Sequence, residues 1–147
     1  MDIVEFRIEQ DDNYGQVVEI LINSVSLARL AADFELPRYN LDSAYVGLPC
    51  EDLAAPRSHF LDDPDPLYIY DERVQLLGCC CGSSFCWPLA CHIQAGPDMV
   101  TWSDFLQPFR GKESSEGYWS YDGFGPFTFD RCQYEQALQA LDSAGGA

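Results

Sequence analysis

Lysine is nearly missing from this chain. Of the eight basic residues only Lys112 is a lysine, and they face 24 aspartates and glutamates, for a formal charge of −16. Phosphate-backbone binding draws its affinity from Lys and Arg. Direct nucleic-acid binding and attachment to an anionic membrane are therefore disfavoured. A basic protein partner, or simply high solubility, fits the charge better. Long apolar runs are missing too, and none approaches the roughly 20 residues that a helical membrane span needs. The first residues, MDIVEFRIEQ, carry no basic region and no apolar core of a signal peptide. The expectation is a cytoplasmic protein, in a compartment where thiols stay reduced.

Catalytic signatures are equally scarce. His59 and His92 are the only histidines, and neither lies in H-E-x-x-H. There is no G-x-x-x-x-G-K-[ST] and no G-x-G-x-x-G, so nucleotide binding has no support. Ser58-His59 and Ser83-Ser84 lack the G-x-S-x-G elbow of a serine hydrolase. Asp62, Asp63 and Asp65 lack the glycine and the closing glutamate of a calcium loop. The reading leans away from an enzyme. Nothing in the sequence indicates an oligomeric state.

What is present is enough for one domain spanning residues 1–147. At 47% hydrophobic residues, a chain of this size buries roughly 70% of its unfolded surface. It needs neither disulfide nor metal to fold. Val4, Phe6 and Ile8 alternate with Glu5, Arg7 and Glu9 in a half-buried strand. Asp11–Gly15 turns into a second strand whose inner face is Val18, Ile20 and Ile22. Leu27, Leu30, Ala31 and Phe34 recur at helical spacing after a Ser26 cap, and Pro37 is expected to end that helix. Residues 38–66 dissolve into an irregular layer over the sheet, with a helical turn near Cys50–Leu53.

A short strand at Leu67–Tyr70 leads to a meander of Arg73–Cys81, Phe85–Gln94 and Met99–Phe105. A mobile polar loop follows at residues 110–117. Tyr118–Tyr121 and Phe127–Phe129 are short strands in an aromatic-rich second half, read as core. Asp130 and Gln133 have capping-box spacing. They open a helix with Tyr134, Ala137, Leu138 and Leu141 on its apolar stripe, ending at Gly145-Gly146. The expected fold is α+β, an antiparallel sheet with two packed helices, one after the first hairpin and one at the C-terminus.

Five of the seven cysteines fall within GCCCGSSFCWPLACH, residues 78–92. If Cys81 and Cys86 face each other across a four-residue loop, Cys79, Cys81, Cys86 and His92 share one face of the hairpin. Cys80 and Cys91 fall on the other face and read as small core hydrophobes. Cys132 gets the same reading, and Cys50 is undetermined. Cys79, Cys81 and Cys86 are candidate zinc ligands, with His59 as the fourth because its loop could fold over the hairpin tip. His92 lies too far along the ladder. The C-x-C spacing is not that of a zinc knuckle. A Cys81–Cys86 disulfide, a redox pair and plain reduced thiols compete for the same atoms. Pro88 implies an edge or a bulge, where a partner could dock.

Val74-x-x-x-Gly78-Cys79-x-Cys81-Gly82 with Cys86-Trp87-Pro88-Leu89, then Val100-Thr101-Trp102-Ser103-Asp104-Phe105 and Pro108, then Gly125-Pro126-Phe127-x-Phe129-Asp130-Arg131-x-Gln133-Tyr134, resembles a group of small bacterial proteins of no known activity. Val18–Asn23 and Leu27-Ala28-x-Leu30 are also similar to theirs. The resemblance implies a bacterial, soluble, single-domain protein, and Cys80 and Cys91 depart from its pattern. The residues thus support an acidic, non-enzymatic protein-binding domain. The alternatives are a thiol-based metal or redox protein, and an inhibitor or immunity-type protein that binds a basic enzyme.

Overall fold

The alternation that opens the chain becomes β1 (Val4–Asp11), which returns as β2 (Gly15–Ile22) in a fully paired antiparallel hairpin. The computed structural model describes residues 1–81 and 83–143, with the backbone alone at Ser143. The turn is an Asx turn: the Asp11 carboxylate accepts from the Asn13 and Tyr14 amides at 2.9 and 3.2 Å. Val18, Ile20 and Ile22 are buried, and Val17 and Leu21 on the opposite face are buried as well.

β3 (Val25–Ser26) folds back on β2 and leads into α1 (Leu27–Tyr39). Ser26 holds the cap position without a side-chain cap bond. Pro37 does not end the helix, which runs two residues past it. A proline removes a single N–H, and in the last turn that loss is small. Arg38 offsets it, donating to the Phe34 carbonyl at 2.9 Å with its guanidinium 3.8 Å over the Phe34 ring. Asn40, in the left-handed region at φ 54°, closes the helix with its N–H on the Leu36 carbonyl.

Residues 38–66 are not a layer over the sheet, because part of them is inside it. β4 (Tyr45–Pro49) pairs with β2 through Val17 and Val18, and through Tyr45–Gly47 with a later strand. Gly47 permits this approach: a Cβ there would lie 1.9 Å from the Val18 carbonyl oxygen. The turn expected near Cys50 is present as a 3-10 turn over Cys50–Asp52. α2 (Pro56–His59) and a 3-10 turn at Pro66–Tyr68 lead to β5 (Ile69–Tyr70).

β6 (Arg73–Cys79), β7 (Leu89–Ala95), β8 (Met99–Leu106) and β9 (Phe127–Asp130) complete an antiparallel sheet of order β1-β2-β4-β6-β7-β8-β9. β3 attaches to β2, and β5 to β6. Tyr118–Tyr121 forms no strand; Trp119 and Tyr121 are instead buried among other rings. The polar segment 110–117 is drawn together by an Arg110–Glu116 ion pair at 3.2 Å and by the Trp119 N–H on the Arg110 carbonyl.

The two ends of the strand order meet. Asp2 forms a parallel bridge with Phe129, its N–H on the Thr128 carbonyl at 2.8 Å and its carboxylate accepting from the Thr128 N–H at 3.0 Å. α3 (Arg131–Leu138) then packs on β1, β8 and β9. Asp130 caps it by accepting from the Gln133 amide at 3.0 Å. The Gln133 side chain does not complete a capping box. It pairs with the Val4 N–H and C=O at 3.2 and 2.7 Å and ties the helix to β1. Tyr134 and Leu138 are fully buried, and Leu141 follows in a 3-10 turn over Gln139–Ser143. The helix end expected at Gly145-Gly146 lies outside the described residues.

Phe6, Phe60, Trp102, Phe129 and Tyr134 form the centre of the core. Their rings meet edge-on or tilted at 5.2–6.4 Å, separations at which such pairs attract beyond their area burial. Among the described residues no helix is long and apolar enough to cross a membrane. The fold is α+β, as the patterning predicts.

Candidate functional site

The β6–β7 ladder pairs Leu77 with Leu89, Gln75 with Ala90 and Val74 with Cys91, with a register shift between Gln75 and Leu77. Among the described residues no pair lies beyond Leu77/Leu89, so Cys81 and Cys86 do not face each other in a ladder. β7 lies between β6 and β8, and Pro88 precedes it. Pro88 therefore marks no sheet edge; the other half of the expectation, a bulge, fits the register shifts just beyond it, opposite Gln75–Leu77 and between Ala90 and His92. Pro88 is buried, and its carbonyl accepts from Gln107 Nε2 at 2.6 Å.

The three thiols nevertheless converge. The sulfurs of Cys79, Cys81 and Cys86 all lie within 4.8 Å of one another. A loop brings them together, and five contacts hold it. Tyr14 donates its hydroxyl to the Cys79 carbonyl at 2.5 Å, and Asn13 donates its amide to the Cys80 carbonyl at 2.7 Å. The Cys80 N–H reaches the Ala44 carbonyl at 3.1 Å. On the return side, buried Gln75 donates to the Ser84 carbonyl at 2.7 Å, and Phe85 stacks on Tyr68 at 5.0 Å. Gly78 makes room for this return: a Cβ there would lie 2.8–2.9 Å from Ser84 atoms.

Cys79 is half-buried at the end of β6, while Cys81 and Cys86 are exposed. The Cys81 N–H points at the Cys79 sulfur at 3.4 Å. The thiols share protons unequally. Burial first, then hydrogen bonding with Cys81, pushes the Cys79 thiol up to about 12. Hydrogen bonds from Cys79, from the Ser83 backbone and from Cys86 pull the Cys81 thiol down. Cys86 is pushed up, chiefly by Cys81. Of the three, Cys81 is the thiol whose hydrogen bonds favour loss of its proton.

The other expected site residues lie elsewhere. His59 is not at the tip. It is buried, its Nδ1 accepts from the Asp65 N–H at 3.0 Å, and its Nε2 sits 2.9 Å from the Gln75 carbonyl. An Nδ1 acceptor leaves the proton on Nε2, so both nitrogens are committed to backbone and neither is free for a metal. Burial lowers its pKa below 6.5. His92 is exposed, 3.7 Å from the Asp104 carboxylate. Cys91 is fully buried, as its alternation implies, and Cys50 is buried too. Cys80 and Cys132 are exposed and not core. Cys80 has left the ladder, and Cys132 lies on the solvent side of α3, away from the Tyr134–Leu138 stripe.

Linked to the tip through Trp87 lies an acid outside the expected site residues. Glu35 is fully buried, and Ser43, Tyr45 and Tyr121 all donate hydroxyls to its carboxylate, the tyrosines at 2.7 and 2.5 Å. Ser43 Oγ also accepts from Trp87 Nε1 at 3.0 Å, and Trp87 follows Cys86 directly. Burial raises the Glu35 pKa despite these bonds. Its signal was in the sequence, since Ala31, Phe34 and Glu35 share one helical stripe and place a carboxylate in an apolar face. Asn13 and Tyr14 had no such signal, because they meet the cysteines across 67 and 65 residues of chain.

Comparison with known proteins assigns nothing further: no family model, curated protein or solved structure matches the chain.

Proposed function

We propose that the protein binds a thiophilic metal ion, zinc in the first instance, through Cys79, Cys81 and Cys86. The single observation that carries this reading is the convergence of three sulfurs within 4.8 Å on an anchored loop. Zinc–thiolate bonds of about 2.3 Å in a tetrahedral site set sulfurs roughly 3.8 Å apart. Small rotations of the two exposed side chains cover the difference. Among the described residues no histidine or carboxylate joins the three thiols, so the fourth position is left to water or an outside donor. Such an open position suits exchange of ligand or metal better than a purely structural role. A cation is also drawn to a chain of charge −16. A reducing cytoplasm would keep the thiols available. A basic protein partner loses the sheet edge that Pro88 allowed for and rests on charge, as a basic enzyme held by an acidic inhibitor does from the outset.

The test is metal content after purification under reducing conditions. One equivalent of zinc is expected, and cobalt in its place should give sulfur-to-metal charge-transfer bands. Cys79→Ser, Cys81→Ser and Cys86→Ser should each lower zinc affinity by at least about tenfold. Cys80→Ser and Cys132→Ser should leave it unchanged. A reduced protein that takes up no zinc, or three single variants that bind like the parent, would overturn the reading.

A further inference from the structure

We propose that hydroperoxides join Cys81 and Cys86 in a reversible disulfide, and that this bond and the metal exclude each other. The exclusion rests on the metal reading above; the disulfide does not. Three features of the fold select this pair. Both side chains are exposed, whereas Cys79 is half-covered. Neither residue belongs to a strand ladder, so both sulfurs can swing into bonding distance. Cys79 is fixed in β6 opposite Tyr45, with its carbonyl held by Tyr14. Cys79 and Cys81 are also separated by one residue, which closes a ring too small for a relaxed disulfide dihedral, whereas four residues lie between Cys81 and Cys86. Cys80, the other exposed neighbour, does not compete, since its sulfur lies outside the cluster and both its backbone groups are bonded.

The chemistry balances with one hydroperoxide. The sulfur of one exposed cysteine, as thiolate, attacks the terminal peroxide oxygen. The O–O bond breaks, and the alkoxide leaves as alcohol after taking a proton. The sulfenic acid so formed lies within 4.8 Å of the second thiol. That sulfur displaces hydroxide, which departs as water with the second thiol's proton. Two thiols lose two electrons in all, and the peroxide gains them. Two of three metal ligands are consumed, so bound metal is released. A cellular dithiol reverses the step by exchange, and Cys79 keeps its thiol throughout.

The experiment treats reduced, metal-free protein with hydrogen peroxide and reads intact mass and non-reducing peptide maps. A mass lower by two hydrogens, with a Cys81–Cys86 linkage that dithiothreitol removes, is expected. Cys79→Ser should still form this bond although it binds zinc more weakly. Cys81→Ser and Cys86→Ser should not form it. Zinc-loaded protein should release its metal in step with disulfide formation, read by a chromogenic chelator. Wild type that binds zinc but gains only sulfinic oxygen, or links through Cys79 or between chains, overturns the disulfide and leaves the metal reading standing. A chain that forms the disulfide yet never takes up zinc overturns the metal reading and the exclusion alone.

Discussion

Two buried residues, Glu35 and His59, set opposite pH limits on stability. Burial raises the Glu35 carboxyl above its ordinary 4.5, so the folded chain holds that proton more tightly than the unfolded chain does. Its contribution is complete below pH 4.5 and is lost as pH rises through the folded value. Burial lowers the His59 imidazole below 6.5. Its contribution is complete above pH 6.5 and is lost as pH falls through the lowered value. Glu35→Gln keeps the hydrogen-bonding shape and removes the titration. Denaturant melts from pH 4.5 to neutral should show the variant without the parent's loss on the rising side, and with the acid-side fall intact. Equal slopes in the two proteins would show that Glu35 does not hold its proton in the fold. The hydroxyls of Ser43 and Tyr45 come from the segment just after α1, and that of Tyr121 from 86 residues along the chain. That is why sequence alone shows an odd carboxylate in an apolar stripe but not its partners.

At the level of strands and helices, local rules worked where a segment carries its own pattern. β1, β2, β8, α1 and α3 each alternate or recur over enough residues to announce themselves. β4 does not. It has five residues, one glycine and one terminal proline, and its place in the sheet is decided by how closely Gly47 can approach Val18. Gly47→Ala should therefore cost about 1–3 kcal/mol, the usual penalty for forcing a methyl into a packed site, read as a lowered Tm with the far-UV spectrum retained. A variant as stable as the parent would show that β4 can slide away from β2 at no cost. The cysteine tip was half legible. Strand alternation groups the three thiols that converge, yet the ladder it implies stops at Leu77 and Leu89. The grouping holds for another reason: the loop folds back over Gly78 and is propped by Asn13 and Tyr14. His59 lies away from the tip because a loop's path depends on its buried hydrogen bonds, here to Asp65 and Gln75, which leave no trace in spacing.

Across the molecule, the sheet is joined where its order begins and ends. Asp2 holds β9 through the Thr128 amide and also accepts from Asn23 at 3.0 Å. Asp2→Ala removes both acceptors and should cost about 1–2 kcal/mol, the range for hydrogen bonds to a charged group with partial solvent access. Amide exchange at Thr128 should rise more than exchange in β6 or β7. Uniform acceleration everywhere would show that the junction opens only when the whole fold does. The same joined architecture puts the sulfur tip in series with the interior. Cys86 is followed by Trp87, whose indole holds Ser43, and Ser43 in turn holds Glu35. One indole and two hydrogen bonds are therefore all that separate the surface sulfurs from an acid that water does not reach.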